Sequence, residues 1–158
     1  MRACIAWPGV RALQLLLAVW LLASCAPLIA EYSLEGYKNA TTLKAEVAGL
    51  IDKSGERFSS RRREVETVST KIDAAYEFAA GLPNNQIAAQ QWRLIRDPAG
   101  GLYGDFIATW SRAGTLSPAF RTEKKRQIGQ AFDYVICLEA NKQAPASCQA
   151  AATAARTP

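Results

Sequence analysis

Asp97 and Asp105 bracket the run Pro98-Ala-Gly-Gly-Leu-Tyr-Gly104, with Trp92 and Trp110 close by in the chain. Two carboxylates beside aromatic side chains are what a glycoside hydrolase uses, one protonating the leaving oxygen and the other acting as base or nucleophile. Retention of configuration needs carboxyl groups ~5 Å apart and inversion ~6.5 to 9.5 Å, so geometry decides the matter. The simpler reading has Asp97 turning the Asp-Pro corner, Asp105 on a solvated helix face, and both tryptophans in a core. No other catalytic class survives. The 158 residues contain no histidine, which removes the commonest general base and metal ligand and excludes Ser-His-Asp, Cys-His and His-based zinc sites. "DPAGG" and "GLYG" lack the lysine and the preceding strand of a phosphate loop. The reading is therefore of a chain that is not an enzyme, with no cofactor and no metal.

The thiols carry more information. Arg2 and Arg11 precede an apolar run from Ala12 to Ala23, and Cys25 follows it almost directly, with Pro27 beyond. That pattern reads as an export signal, because spanning ~30 Å of hydrocarbon takes ~20 apolar residues and this run is shorter. Leu22-Ala23-Ser24-Cys25 resembles the lipobox of bacterial lipoproteins, a branched aliphatic residue and two small residues before the cysteine. The resemblance implies a signal peptide over 1–24, with Cys25 lipidated and becoming the mature N-terminus. It thus implies a membrane held through covalent lipid rather than a span, since two or more acyl chains anchor stably where one does not. Ala26 stands where an aspartate commonly signals inner-membrane retention in that family, which implies the outer membrane, facing the periplasm.

Cleavage there removes Arg2 and Arg11 from the 19 basic residues, against 14 acidic ones, and leaves only a weak basic excess. Such a balance suits an anionic envelope surface and gives no clustered face for nucleic acid. Cys137 and Cys148 remain as an even pair in an exported chain, and such pairs usually close. On one straight helix they would stand ~16 Å apart, whereas a bridge needs Cα atoms within ~7 Å. The chain must turn back between them, and Pro145 supplies a break.

The elements that position these residues read as all-α, with a lipidated N-terminus and tether over 25–33, a helical domain over 34–142 and a tail over 143–158. The tether, about eight residues, reaches at most ~28 Å. Ile51, Phe58, Val65, Ile72 and Ala79 recur every seven residues. That unbroken phase predicts one long helix over about 34–80; Gly55 and Ser59-Ser60 are compatible with a kink near 54–60, where Ser60 could cap a new helix. Gly81 and Pro83 end it, with Gly81 expected in the left-handed cap. Two short helices follow, over about 88–96 and 102–112, with Gly114 as cap of the second. Ser117-Pro118 then starts a C-terminal helix running to about Lys142. Cys148 is expected to staple the tail, and the Ala/Thr-rich residues after it to be disordered.

Two basic clusters complete the reading. Arg61, Arg62 and Arg63 are expected to pair along their own helix, Arg61 with Glu64 and Arg62 with Glu66. Arg121, Lys124 and Lys125 share one helical face with only Glu123 near, and so form a candidate contact stripe alongside a Trp92/Tyr103/Trp110 region. The stretch from "PNNQIAAQQWRLIRDP" to "GTLSPAF" resembles uncharacterised small helical envelope lipoproteins, from which no activity follows. The expected role is non-catalytic binding or scaffolding in the cell envelope, toward an envelope protein or an anionic wall or lipid surface, without nucleic acid. The alternative is a wall-binding module or a two-carboxylate hydrolase acting on peptidoglycan through Asp97 and Asp105.

Overall fold

The computed structural model describes residues 32–142, 144 and 146–148. Cys25 with its lipobox, most of the tether, Pro145 and the tail beyond Cys148 lie outside the described residues. The described chain forms α1 (Leu34–Lys53), α2 (Phe58–Gly81), α3 (Gln86–Arg96), α4 (Tyr103–Ala113) and α5 (Pro118–Ala140). No strand occurs among the described residues, so the fold is all-α as the periodicity predicts.

Helix ends follow from local chemistry. The Ser33 side chain accepts a hydrogen bond from the Gly36 N–H at 3.1 Å, with Glu35 in the first turn and Lys53 in the last, which complements the helix dipole. Ser117 does the same for Phe120 at 3.3 Å, with Pro118 beginning α5. Gly114 ends α4 at φ +78°, a left-handed conformation that glycine adopts at no steric cost. Gly81 is instead the last residue of α2, and the left-handed position falls on Asn84 at φ 57°.

The single long helix expected over 34–80 is corrected to an antiparallel pair. Lys53 pairs with Glu64 and Lys71 with Glu46; on one helix, residues 46 and 71 would lie ~37 Å apart. The seven-residue phase survives the reversal because the turn, residues 54–57, happens to bring the apolar stripe of α2 back in step. Ser54 closes α1, fully buried, its hydroxyl donating to Ile51 O at 2.7 Å. The N-cap of α2 is Arg57 without a side-chain cap, so Ser60 is not the cap; its hydroxyl donates to Arg57 O.

α3 and α4 together form one broken column along α2. Asn85 donates to Ala79 O, Arg96 pairs with Asp73, Tyr103 meets Ser69 and Trp110 meets Phe58, so the column runs antiparallel to α2 throughout. α5 closes the ring against α1, where Lys44 pairs with Asp133 and Lys125 with Asp52. The result is an up-down-up-down four-column bundle. Its third column bends at Asp97–Gly101, and glycine is required there by close approach. A Cβ at Gly104 would lie 2.3 Å from Arg96 O, and one at Gly100 2.2 Å from Leu94 O.

Each column turns one apolar row inward. Leu43, Val47 and Leu50 of α1, Val68 and Ile72 of α2, Trp92, Phe106 and Trp110 of the third column and Ile128, Phe132 and Val135 of α5 share one buried core. Trp92 sits edge-on to Phe132 with centroids 5.7 Å apart, the arrangement favoured by ring quadrupoles. The bundle has an entry end, where the chain arrives at Tyr32, and a far end. At the far end two turns are tied together: Phe58 N–H donates to Gly114 O, Leu116 N–H to Ser54 O and Trp110 Nε1–H to Glu56 O, at 2.8 to 3.0 Å. At the entry end Cys137 of α5 is bonded to Cys148, with Cα atoms 5.6 Å apart, so the chain does turn back beyond α5.

Candidate functional site

Asp97 and Asp105 are each engaged in local structure. Asp97 caps α3, and its Oδ1 accepts from the Ala99 N–H at 2.8 Å, an Asx turn that fixes the corner. Asp105 lies in the first turn of α4 and pairs with Lys124 at 2.7 Å. Lys124 also donates to Gly101 O at 2.7 Å and is itself largely buried. One carboxylate therefore orders the turn, and the other is held to α5 by a lysine that also clamps the turn. No hydrogen bond joins the two carboxylates among the described residues.

Trp92, Tyr103 and Trp110 are at most 3% exposed. They pack the bundle interior and present no surface to a partner. Burial pushes the Tyr103 phenol up to about 12, and the hydrogen bond with Ser69, which acts the other way, only partly offsets it. The Tyr103 hydroxyl lies 2.8 Å from Ser69 Oγ, on the rim of a surface hollow of about 360 Å³ between α2 and α4. Arg96 on the same rim is paired with Asp73 and Glu77 and lies 3.8 Å over the Tyr76 ring. Its charge is thus already balanced. No group of three His, Cys, Asp or Glu side chains suited to a metal occurs among the described residues.

Two cations of the Arg121, Lys124 and Lys125 stripe are neutralised from across the bundle. Lys125 pairs with both oxygens of Asp52, Arg121 donates to Asp52 O at 2.9 Å, and Lys124 meets Asp105. The acids that balance Lys124 and Lys125 come from α1 and α4 rather than from their own helix, while Arg121 meets a backbone carbonyl and no carboxylate among the described residues. The Arg61 cluster departs in the opposite sense. Arg61 pairs with Glu56 and Glu64, but Arg62 and Arg63 are exposed and form no ion pair among the described residues. The expected Arg62–Glu66 pair is absent there. Arg before Glu at this spacing is the less favourable order against the helix dipole. Arg57 is likewise exposed and unpaired, and Arg112 bonds only within its own helix, to Ala108 O and Thr109. These four arginines gather at the far end, around the tied turns.

One polar cluster has no forerunner in the sequence reading. Glu139 and Lys142 are buried, their side chains 2% and 5% exposed, with Lys142 Nζ 2.8 Å from Glu139 Oε2. Lys142 donates to Asn85 Oδ1, while Glu139 Oε2 accepts no aligned hydrogen bond. The carboxylate is compensated by charge alone and packs against Gly36, where a Cβ would lie 2.5 Å from Oε2. A Glu in the last turn of a helix and a Lys just past its end ordinarily read as solvated, so only the tertiary placement shows the burial.

Compared with protein-family models, with curated proteins and with solved structures, the chain matches none of them.

Proposed function

We propose that this chain is a bacterial envelope lipoprotein, held through lipid on Cys25 at the periplasmic face of the outer membrane, with a non-catalytic binding or scaffolding role. The observation that carries the contact surface is the set of far-end arginines that form no ion pair among the described residues, Arg57, Arg62, Arg63 and Arg112. The alternative hydrolase reading loses its support from Asp97 and Asp105, which are both engaged in structure.

α2 alone is 24 residues, about 36 Å long. With the bundle upright on its anchor, the far end would stand several Debye lengths from the bilayer, at ~8 Å each in physiological salt. Its charge acts on something other than the lipid that holds the anchor. Planar guanidinium groups pair bidentately with carboxylates and phosphates, so the fitting partner is an acidic protein surface or a carboxylate-bearing wall polymer.

A photo-reactive residue at Glu66, which is exposed on α2 beside Arg62 and Arg63, should form a discrete adduct in living cells. One at Gln90 on α3 should not. Replacing Arg62 and Arg63 by glutamine should abolish the Glu66 adduct. An adduct that survives the neutralisation, or none at all, would contradict the proposed contact.

A further inference from the structure

Among the described residues four large apolar side chains are exposed, and three of them lie at the entry end. They are Tyr32 at 57%, Leu34 at 54% and Ile87 at 48%. Tyr32 and Leu34 precede and begin α1, and Ile87 is in the first turn of α3. The two helices are brought to the same end by the Glu139–Lys142 pair, since Glu139 packs on Gly36 and Lys142 bonds Asn85. Each of those contacts lies two residues from one of the exposed side chains. The fourth, Leu94, is two helical turns up α3, ~10 Å away.

Resting on the lipoprotein reading, we infer that this entry end lies against the bilayer surface, with Tyr32, Leu34 and Ile87 in the interfacial region, and that the bundle stands upright on it. The occupant follows from the chain before α1. Cys25 is seven residues from Tyr32, so the anchor lies at most ~25 Å from the patch. Within those residues Ala26, Pro27, Leu28, Ile29 and Ala30 are apolar, and Glu31 is the only charge. A short apolar leash draws the entry end to the lipid, and a leash of that length holds the opposite end of the upright bundle away. Tyrosine and aliphatic side chains are the residues that settle at headgroup level, and their contact adds a second hold to the covalent lipid.

The test uses the full lipidated protein in vesicles of phosphatidylethanolamine and phosphatidylglycerol. With Cys137 and Cys148 bonded to each other and Cys25 carrying lipid, an introduced cysteine is the single reactive thiol. Nitroxide labels go at the exposed positions Glu35 and Gln86, which flank the patch, and at Arg62 as the far-end control. Electron paramagnetic resonance then compares accessibility to oxygen, which partitions into lipid, with that to a water-soluble nickel chelate. The oxygen-to-nickel ratio should rise several-fold on membranes at residues 35 and 86 and stay unchanged at 62. Substituting Tyr32, Leu34 and Ile87 together by aspartate should return both entry-end labels to the aqueous value.

Aqueous ratios at 35 and 86 in protein shown by mass spectrometry to carry lipid on Cys25 would overturn the contact and leave the anchor standing. Protein without lipid on Cys25 would overturn both. Nickel exclusion accompanied by spin–spin broadening between copies would assign the patch to a second copy of this chain, and would equally overturn the lipid contact.

Discussion

Lys142→Met exposes the energetics of the buried pair most sharply. The substitution keeps the volume and removes the charge, leaving the Glu139 carboxyl without its partner beside Gly36 with its side chain 2% exposed. Breaking a buried pair by removing one partner costs about 3 to 5 kcal/mol, because the remaining charge is uncompensated. The same change strips Asn85 Oδ1 of the lysine that donates to it, adding about 1 to 3 kcal/mol for a buried acceptor left unsatisfied. Lys142→Met alone should therefore cost roughly 4 kcal/mol or more. Adding Glu139→Leu removes the stranded carboxylate and leaves only the Asn85 penalty, so the double variant should be more stable than Lys142→Met. Denaturant unfolding followed by helical circular dichroism, with the disulfide intact, gives the cycle. Coupling of at least ~2 kcal/mol is expected, well above the ~0.5 kcal/mol within which independent sites add. Additive effects, or a single variant costing under ~1 kcal/mol, would refute the account of a compensated buried ion pair.

Two helical glycines should respond oppositely. Gly49→Ala meets nothing within 4 Å and should raise stability by about 0.5 to 1 kcal/mol, whereas Gly36→Ala drives a methyl into Glu139 Oε2 and should lower the denaturation midpoint. Tyr103 should ionise near pH 12 rather than 10. Its folded pKa is raised, so the stabilisation is complete below about pH 10 and lost toward 12, and Tyr103→Phe should remove both that alkaline loss and one high-pH phenolate transition in the ultraviolet titration. The Glu64 carboxylate is held below its usual range, first by its hydrogen bond with Lys53. Its small contribution is present above about pH 4.5 and lost on acidification, so Glu64→Gln should flatten stability against pH below that point. Replacing Cys137 and Cys148 by serine should cost about 3 kcal/mol from the short loop they close, read as a lower unfolding temperature that reducing agent no longer shifts.

Most helix ends were legible because they are written in a few local residues. Ser117 acts through its own hydroxyl and Pro118 and Gly114 through their own backbone, so sequence placed them correctly. The reversal at 54–57 was hidden because a seven-residue repeat reports the phase of each helix and not whether the chain is continuous between them. Gly55 and the serines around it carried the competing signal. The candidate site was less legible, since burial and charge compensation are tertiary. Nothing local to Trp92 or Trp110 distinguishes a packed ring from an exposed one, and nothing near Lys125 announces Asp52, 73 residues away. For Arg62 the order of charges on the helix was a usable clue that its expected partner would not hold it.

Purifying the full chain from bacterial membranes and determining the intact mass and N-terminal residue tests the central claim most directly. A lipid-anchored protein begins at Cys25 and carries diacylglycerol through its sulfur, a mass that Cys25→Ser abolishes together with membrane association. A chain whose Cys25 remains an internal, unmodified thiol would contradict the lipid anchor and every orientation that depends on it.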